Sequence, residues 1–224
     1  MNDADSPPTE IPEDPERALV LAYLAPPVRQ AVGALWRVDA RLGTVVSTTS
    51  EPSIGMLRMA WWRDALGRLD DASPPAEPLL RHVADVLLPH VRGERIAALP
   101  EAWGGVLADE GDDLAGWRER GAELFSLVAE VLGGDAALAR RIGAGWGLVD
   151  LARGTRDMEV RKAALRLAGG TFDGWDGRVP TSLRVLGMLG MLARIDAAGG
   201  GAEFARRGSP ARIGRLLRYR LVGR

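Results

Sequence analysis

The sequence contains no cysteine, only two histidines and a single lysine, Lys162, against 28 arginines in 224 residues. Without cysteine the chain cannot form a disulfide, use a thiolate nucleophile or bind zinc through thiolates, and a reducing compartment is the simplest expectation. His82 and His90 are two helical turns apart and point in different directions, so shared ligation of a metal is not expected. The composition therefore predicts no histidine or cysteine metal site.

Long apolar runs are also missing, since no stretch of about 18 apolar residues occurs and no membrane-spanning helix is predicted. The first residues, MNDADSPPTEIPEDPE, are acidic and rich in proline, unlike a signal peptide. We expect a disordered acidic tail over residues 1–15 and one helical domain over residues 16–224. The expected location is cytoplasmic.

Strand patterns are nearly absent, because β-branched runs of period two do not occur and alanine, leucine and arginine dominate. An all-α fold is predicted. The periodicity and the proline and glycine breaks predict helices at about 15–24, 27–47, 50–69, 77–91, 97–108, 113–132, 135–153, 157–168, 180–197 and 210–222.

The net charge of −1 conceals an asymmetry between the two ends of the chain. Residues 1–16 carry six acids and no base, whereas residues 206–224 carry seven arginines and no acid. The two ends could contact each other, or the basic end could contact an anionic surface. The helix at 210–222 interleaves arginine with leucine, which suits peripheral membrane contact, although a solvated helix that packs its leucines on the domain explains the pattern too. Nucleic acid is not a predicted partner, because the pI is 6.2 and the arginines are scattered.

Four charged residues fall on or beside the apolar faces of predicted helices. Asp39 lies among the apolar positions of helix 27–47, Arg58 lies in the arc of Ile54 and Trp61, and Arg153 and Asp150 lie within and at the edge of the apolar arc of helix 135–153. An unpaired buried charge costs several kcal/mol, so these groups should pair or bind a ligand. Asp39 is the expected partner of Arg58. Three interpretations stay open. The arginines extend past tryptophan rings to water, the charged groups pair with one another, or the paired groups also bind an anion.

Three segments carry a family resemblance. PERALVLAYLAPPVRQAVGALWRVDARL, SEPSIGMLRMAWWRDAL and IGAGWGLVDLARGTRD resemble the squalene/phytoene synthase family, and SPARIGRLLRYRLVGR fits its C-terminal end. The resemblance covers about residues 16–224 and implies an isoprenoid-synthase-like helical bundle around a central cavity, shortened in this chain. Active relatives in that family join two prenyl diphosphates head to head, with Mg²⁺ held by two aspartate-rich motifs on facing helices.

Both of those aspartate motifs are degraded in this chain. Aspartates four apart on one helix face can hold Mg²⁺ against a diphosphate. Where relatives carry the first motif, the chain reads Gly43 to Ser47 and has no carboxylate. Where they carry the second, Arg153 remains and Asp150 stands at the asparagine position, but Gly154 and Met158 replace the metal-holding aspartates, and Asp157 is one place off. The sequence therefore predicts no metal site, no catalytic residue and no cofactor, with Mg²⁺ required only if the chain is active after all.

Two of the segments are more similar to a divergent branch that includes a mitochondrial respiratory complex I assembly factor. The resemblance to that branch implies a pseudoenzyme that binds a prenyl chain, another lipid or a partner protein. Its polar network would contain Asp39, Arg58, Asp150 and Arg153, and its cavity would be lined by Leu35, Trp61, Trp62 and Trp146.

Two other functions stay open. One is an active Mg²⁺-dependent prenyltransferase of the squalene or phytoene synthase type. The other is an interaction module whose cavity is filled by side chains, for which the seven tryptophans supply the bulk.

Overall fold

The computed structural model describes residues 14–108, 114–200 and 203–223, and within these ranges the chain forms helices and no strand, which confirms the all-α class. The α-helices are α1 Pro15–Ala22, α2 Pro26–Thr48, α3 Pro52–Gly67, α4 Pro78–Val86, α5 Gly93–Ile96, α6 Ala98–Leu107, α7 Ala115–Leu132, α8 Ala136–Gly154, α9 Met158–Phe172, α10 Arg184–Ala198 and α11 Pro210–Val222. None of these helices is both long enough and apolar enough to cross a bilayer.

The predicted tail of residues 1–15 lies outside the described residues except at its last two positions. Asp14 caps α1 by accepting a hydrogen bond from the N–H of Glu16 at 2.9 Å, and Pro15 is the first residue of the helix. The division into a tail and one domain stays a prediction.

The predicted helix at 77–91 is too long, because α4 ends at Val86 and a separate short helix follows the turn around Pro89. That short helix, α5, is capped from a distant part of the chain. The carboxylate of Asp70 accepts hydrogen bonds from the N–H groups of Gly93 and Glu94 at 2.8 and 3.1 Å. Pro89 has no N–H with which to continue α4, and the cap from Asp70 starts a new helix at Gly93. The continuous apolar periodicity therefore does not give one helix.

Helices α7 and α8 form the centre of the fold and pack unusually closely. Gly121 of α7 lies against Gly143 and Gly147 of α8, and a Cβ on Gly121 would overlap the carbonyl oxygen of Gly143. α6 packs on the other side of α7, and α9 and α10 pack on α8. The glycine contact brings the backbones of α7 and α8 together and so positions the side chains beside it.

Tryptophan side chains fill much of the interior. Phe125 of α7 packs on Trp146 of α8 with ring centroids 5.1 Å apart. The buried tryptophans are Trp36, Trp62, Trp103, Trp146 and Trp175. They belong to the packed hydrophobic core.

Candidate functional site

Asp39 lies at the centre of a charged cluster between α2, α6 and α7, and only 1 % of its surface is exposed. Trp103 Nε1 and Arg120 Nε donate hydrogen bonds to its Oδ1 at 3.0 and 2.9 Å, and Arg120 Nη2 donates to Oδ2 at 2.6 Å. The predicted inward position of Asp39 is confirmed. Its predicted partner was wrong, because the guanidinium that pairs with it comes from α7.

Arg120 joins two carboxylates from different helices. Its Nη1 donates a hydrogen bond to Oδ2 of Asp150 on α8 at 2.9 Å, while its other nitrogens bind Asp39. The guanidinium carbon lies 4.5 Å from the ring centroid of Trp103 and within 6 Å of two other indoles, those of Trp117 and Trp146. Burial opposes its charge, but Asp39 and Asp150 outweigh that cost and raise the pKa of Arg120.

Asp150 is held ionised by three arginines. Arg207 Nη2 donates to its Oδ1 at 2.8 Å, and Arg17 Nη2 lies 3.9 Å from the same oxygen. Burial favours the neutral acid, but the charges of Arg120, Arg17 and Arg207 outweigh burial and hold the pKa of Asp150 well below its usual range. Asp150 is thus a charged link between α8, α7, α1 and the segment before α11.

Arg153 belongs to a second, adjoining cluster. Its Nε donates to Asp196 Oδ2 and its Nη2 to the carbonyl oxygen of Ala205, both at 2.9 Å. Arg212 donates to Asp196 Oδ1 at 2.7 Å and to both oxygens of Glu16 at 2.5 and 3.0 Å. Within the described residues the two clusters contain five arginines and five carboxylates, so their charges balance: Arg17, Arg120, Arg153, Arg207, Arg212, Asp14, Glu16, Asp39, Asp150 and Asp196.

The prediction that Arg58 enters this network is wrong. Arg58 is exposed, and its Nη1 donates a hydrogen bond to the hydroxyl of Thr49 at 3.0 Å. α3 is apolar on more than one side, and the side that packs inward carries Met59 and Trp62 rather than Ile54. Periodicity alone could not choose between these faces, so Arg58 was assigned to the wrong one.

A cleft of about 630 Å³ opens beside the cluster, and none of the four predicted lining residues forms its wall. Leu35 is fully buried in the core, while Trp61 and Trp62 border a separate groove of about 280 Å³. Trp146 packs under Arg120 and borders a void of only about 20 Å³. The wall of the main cleft consists of Arg17, Asp39, Ala40, Gly43, Trp103, Trp117, Arg120, Asp150, Leu151, Arg153, Gly154, Thr155 and Arg207.

The donor set in this cleft does not fit Mg²⁺. Mg²⁺ needs carboxylate oxygens that are free to coordinate it, but each oxygen of Asp39 and Asp150 already accepts an N–H from an arginine. Asp157 is turned away and caps α9 through the N–H of Glu159 at 2.8 Å. Nowhere in residues 14–108, 114–200 and 203–223 do three acids or histidines come together to hold a metal.

Sequence reasoning missed the residue that organises the cluster. Arg120 follows Trp117 by three positions and precedes Leu124 by four, which is the spacing of a buried helix face and could have revealed it. Arg17 lies on the short helix α1, and Arg207 lies in irregular chain before α11. No local pattern marks Arg207 as a partner of Asp150.

The fold and the site together define an all-helical protein whose polar centre is built from facing helices. Residues 12–98 match the family described as squalene/phytoene synthase, which confirms the resemblance over this segment. The helical architecture is consistent with the isoprenoid-synthase-like fold. The matched segment contains Asp39 and ends before Arg120 and Asp150. Neither the curated proteins nor the solved structures contain a match to this chain.

Proposed function

We propose that this chain is a non-condensing member of the squalene/phytoene synthase family that acts by binding a partner, as expected of the divergent, assembly-factor-like branch. One observation carries the proposal: the guanidinium of Arg120 occupies the space between Asp39 and Asp150 and bonds to both carboxylates. A permanent cation of the protein then stands where facing aspartates would otherwise bind a divalent ion.

The shape and lining of the cleft support a protein partner more than a prenyl chain. Four arginines and two aspartates contribute to its wall, and apolar side chains are in the minority. A prenyl chain in this cleft would desolvate the charged groups of the wall without offering them polar contacts, whereas a protein partner can supply such contacts. The proposal includes the cytoplasmic location predicted from the sequence.

The catalytic part of the proposal is tested by incubation with farnesyl or geranylgeranyl diphosphate and Mg²⁺. We expect no release of diphosphate above the rate without protein, and the same background for an Asp39→Asn variant. Mg²⁺-dependent release by the natural chain that disappears in Asp39→Asn would establish the prenyltransferase alternative and overturn the proposal.

Whether Asp39 and Asp150 are free to bind a divalent ion can be tested without measuring turnover. Titration of Mn²⁺, followed by the electron paramagnetic resonance of the free ion, should show no more binding to the natural chain than to an Asp39→Asn/Asp150→Asn variant. A tight site present only in the natural chain would contradict the occupation of both carboxylates by Arg120.

The class of ligand is tested by native mass spectrometry of the purified protein. We expect the mass of the bare chain or of a protein complex. A retained isoprenoid or other lipid would show that the binding function is directed at a lipid instead.

A further inference from the structure

One side of helix α11 packs against the rest of the protein, and its polar groups are paired there. Leu216 and Tyr219 are buried, and the hydroxyl of Tyr219 donates to the carbonyl oxygen of Gly177 at 2.6 Å. Burial raises the pKa of Tyr219 to about 12, so this donor keeps its proton. Arg212 is buried as well and is neutralised by Glu16 and Asp196. The helix therefore needs no further contact on this side.

The opposite side of α11 presents apolar side chains to solvent. Leu221 is 84 % exposed, Val222 is 54 % exposed and Leu217 is 40 % exposed. Leu217 and Leu221 are four residues apart and lie on the same side of the helix. Since α11 already packs on the domain through its other side, these leucines are not core residues left out of place.

Basic residues flank the exposed leucines: Arg218 and Arg220 each lie about 60° around the helix from the nearer leucine, and Arg215 lies about 120° from Leu221. Arg215 and Arg218 are exposed and form no salt bridge with the described residues, and α11 contains no acidic residue. Arg220 lies at the edge of this side, with its guanidinium carbon 5.2 Å from the ring centroid of Tyr23, which is itself partly exposed. The surface thus combines leucines, an aromatic ring and cations of one sign.

We propose that this face of α11, formed by Arg215, Leu217, Arg218, Leu221 and Val222 with Tyr23 and Arg220 at its edge, binds the surface of an anionic lipid bilayer. The leucines enter the boundary between headgroups and acyl chains, and the arginines extend their charged ends to lipid phosphates. Tyrosine suits the same boundary because its ring is apolar and its hydroxyl is polar.

The positive charge of this face favours an anionic bilayer over a neutral membrane or an apolar protein groove. Arg218 and Arg220 flank the leucines, so contact of the leucines with an uncharged surface would desolvate these cations without compensation. Anionic headgroups compensate them, and their attraction extends over a Debye length before contact. The sequence predicted that the basic end contacts either the acidic end or an anionic surface. Arg212 makes the contact with the acidic end through Glu16. The contact with an anionic surface is the one proposed for Arg215 and Arg218.

The test is co-sedimentation of the full chain with vesicles of phosphatidylcholine alone and of phosphatidylcholine with about 30 % phosphatidylglycerol. We expect binding to the anionic vesicles that is at least about tenfold stronger than to the neutral ones and that weakens as salt is raised. A chain that does not sediment with the anionic vesicles overturns the proposal and leaves α11 as a candidate surface for a protein partner.

Two paired variants assign the binding to α11. Leu217→Ser/Leu221→Ser should weaken binding by about tenfold or more, because two leucines no longer enter the bilayer. The control, Ile54→Ser/Leu57→Ser, removes two exposed apolar side chains from α3 and should bind normally. Equal loss in both variants, or no loss in the α11 variant, overturns the assignment.

The charged contribution is measured in the same way. Arg215→Gln/Arg218→Gln should remove most of the preference for anionic over neutral vesicles and most of the salt dependence. Arg156→Gln/Arg166→Gln removes the same charge from two exposed positions outside α11. This variant should keep both the preference for anionic vesicles and the salt dependence. If the two variants respond alike, net charge rather than this face accounts for the binding, and the proposal fails.

Discussion

Arg120 is a single buried cation that neutralises carboxylates on two other helices. Its replacement by methionine keeps apolar contact with the surrounding indoles but leaves Asp39 and Asp150 without this partner. We expect Arg120→Met to lower the free energy of unfolding by about 3–5 kcal/mol at neutral pH, measured by urea unfolding.

The pH dependence of this loss distinguishes a lost charge pair from lost packing. Against burial, which favours the neutral acid, Arg120 is the largest of the charges that hold the pKa of Asp150 below the ordinary 3.8, so the stability gained from this pair is present above that pH and is lost in acid. The deficit of Arg120→Met should therefore shrink as the pH falls below about 4. Arg118→Met, an exposed neighbour on α7, should change stability by less than about 0.5 kcal/mol. A deficit that is constant with pH would contradict the paired-charge account.

His82 gives the molecule a second pH-dependent residue. Its Nε2 is in hydrogen-bond contact with Nη2 of Arg37. Burial and the charge of Arg37 lower the pKa of His82, and Asp85 opposes them only in part. Below the unfolded value of 6.5 the unfolded chain takes up a proton that the folded chain refuses, so stability is lost as pH falls.

Unfolding measured between about pH 7.5 and about pH 5 checks this effect. His82→Gln retains an acceptor for Arg37 and should lose less stability on acidification than the natural chain. The exposed His90 provides the control, since His90→Gln should follow the natural chain. Identical pH profiles for all three proteins would show that His82 titrates normally.

At the scale of elements, the close contact of α7 and α8 is set by glycine. Gly121→Ala places a methyl group where the carbonyl oxygen of Gly143 already lies, so the helices must separate. We expect the free energy of unfolding to fall by about 1–3 kcal/mol. Because Arg120 adjoins Gly121, separation should also weaken the contact of Arg120 with Asp150.

Gly169→Ala is the matched control for this change. Gly169 lies within α9, and nothing lies within 4 Å of a Cβ added there. Alanine at this helical position should stabilise the protein by about 0.5–1 kcal/mol, because it favours the helix over glycine. Urea unfolding of both variants gives opposite signs if the contact at Gly121 is the cause, and a loss in both would contradict it.

The sequence predicted the elements better than it predicted which way they face. α2 and α11 begin at prolines and carry clear apolar patterns, so their positions agree with prediction. α3 has apolar residues on opposite sides, and its inward side is chosen by what packs against it. Trp62 is buried as expected, but Met59 takes the inward position expected of Ile54 and Trp61, which are both exposed.

The charged site could be predicted only as separate halves. Asp39 and Asp150 were visible because each interrupts or borders an apolar helix face. Their common partner, Arg120, is 81 residues from Asp39 in sequence, and periodicity within one helix contains no information about such pairs. The inference that inward charges must be neutralised was physical and correct, whereas the identity of the neutralising group required the fold.

At the scale of the whole molecule, α1 and α11 are joined by Arg212. Its guanidinium binds both Glu16 of α1 and Asp196 of α10, all three being buried. We expect Arg212→Met to destabilise the protein by about 3–5 kcal/mol, since Glu16 loses its buried cation and Asp196 keeps only Arg153. Amide hydrogen exchange should accelerate first in α1, which depends on this contact.

The exposed Arg215 on the same helix is the control for this experiment. Arg215→Met removes an equal charge from α11 without touching Glu16 or Asp196, and exchange in α1 should stay slow. Faster exchange in α1 for both variants would indicate a general effect of net charge.

The pairing of Asp150 with Arg207 has a consequence during protein synthesis. Asp39, Arg120 and Asp150 leave the ribosome long before Arg207, which supplies the contact to Oδ1 of Asp150. A nascent chain that stops short of this arginine also lacks Arg212, so its two clusters contain three arginines against five carboxylates. The charged interior can therefore close only after the ribosome has released the segment that carries Arg207.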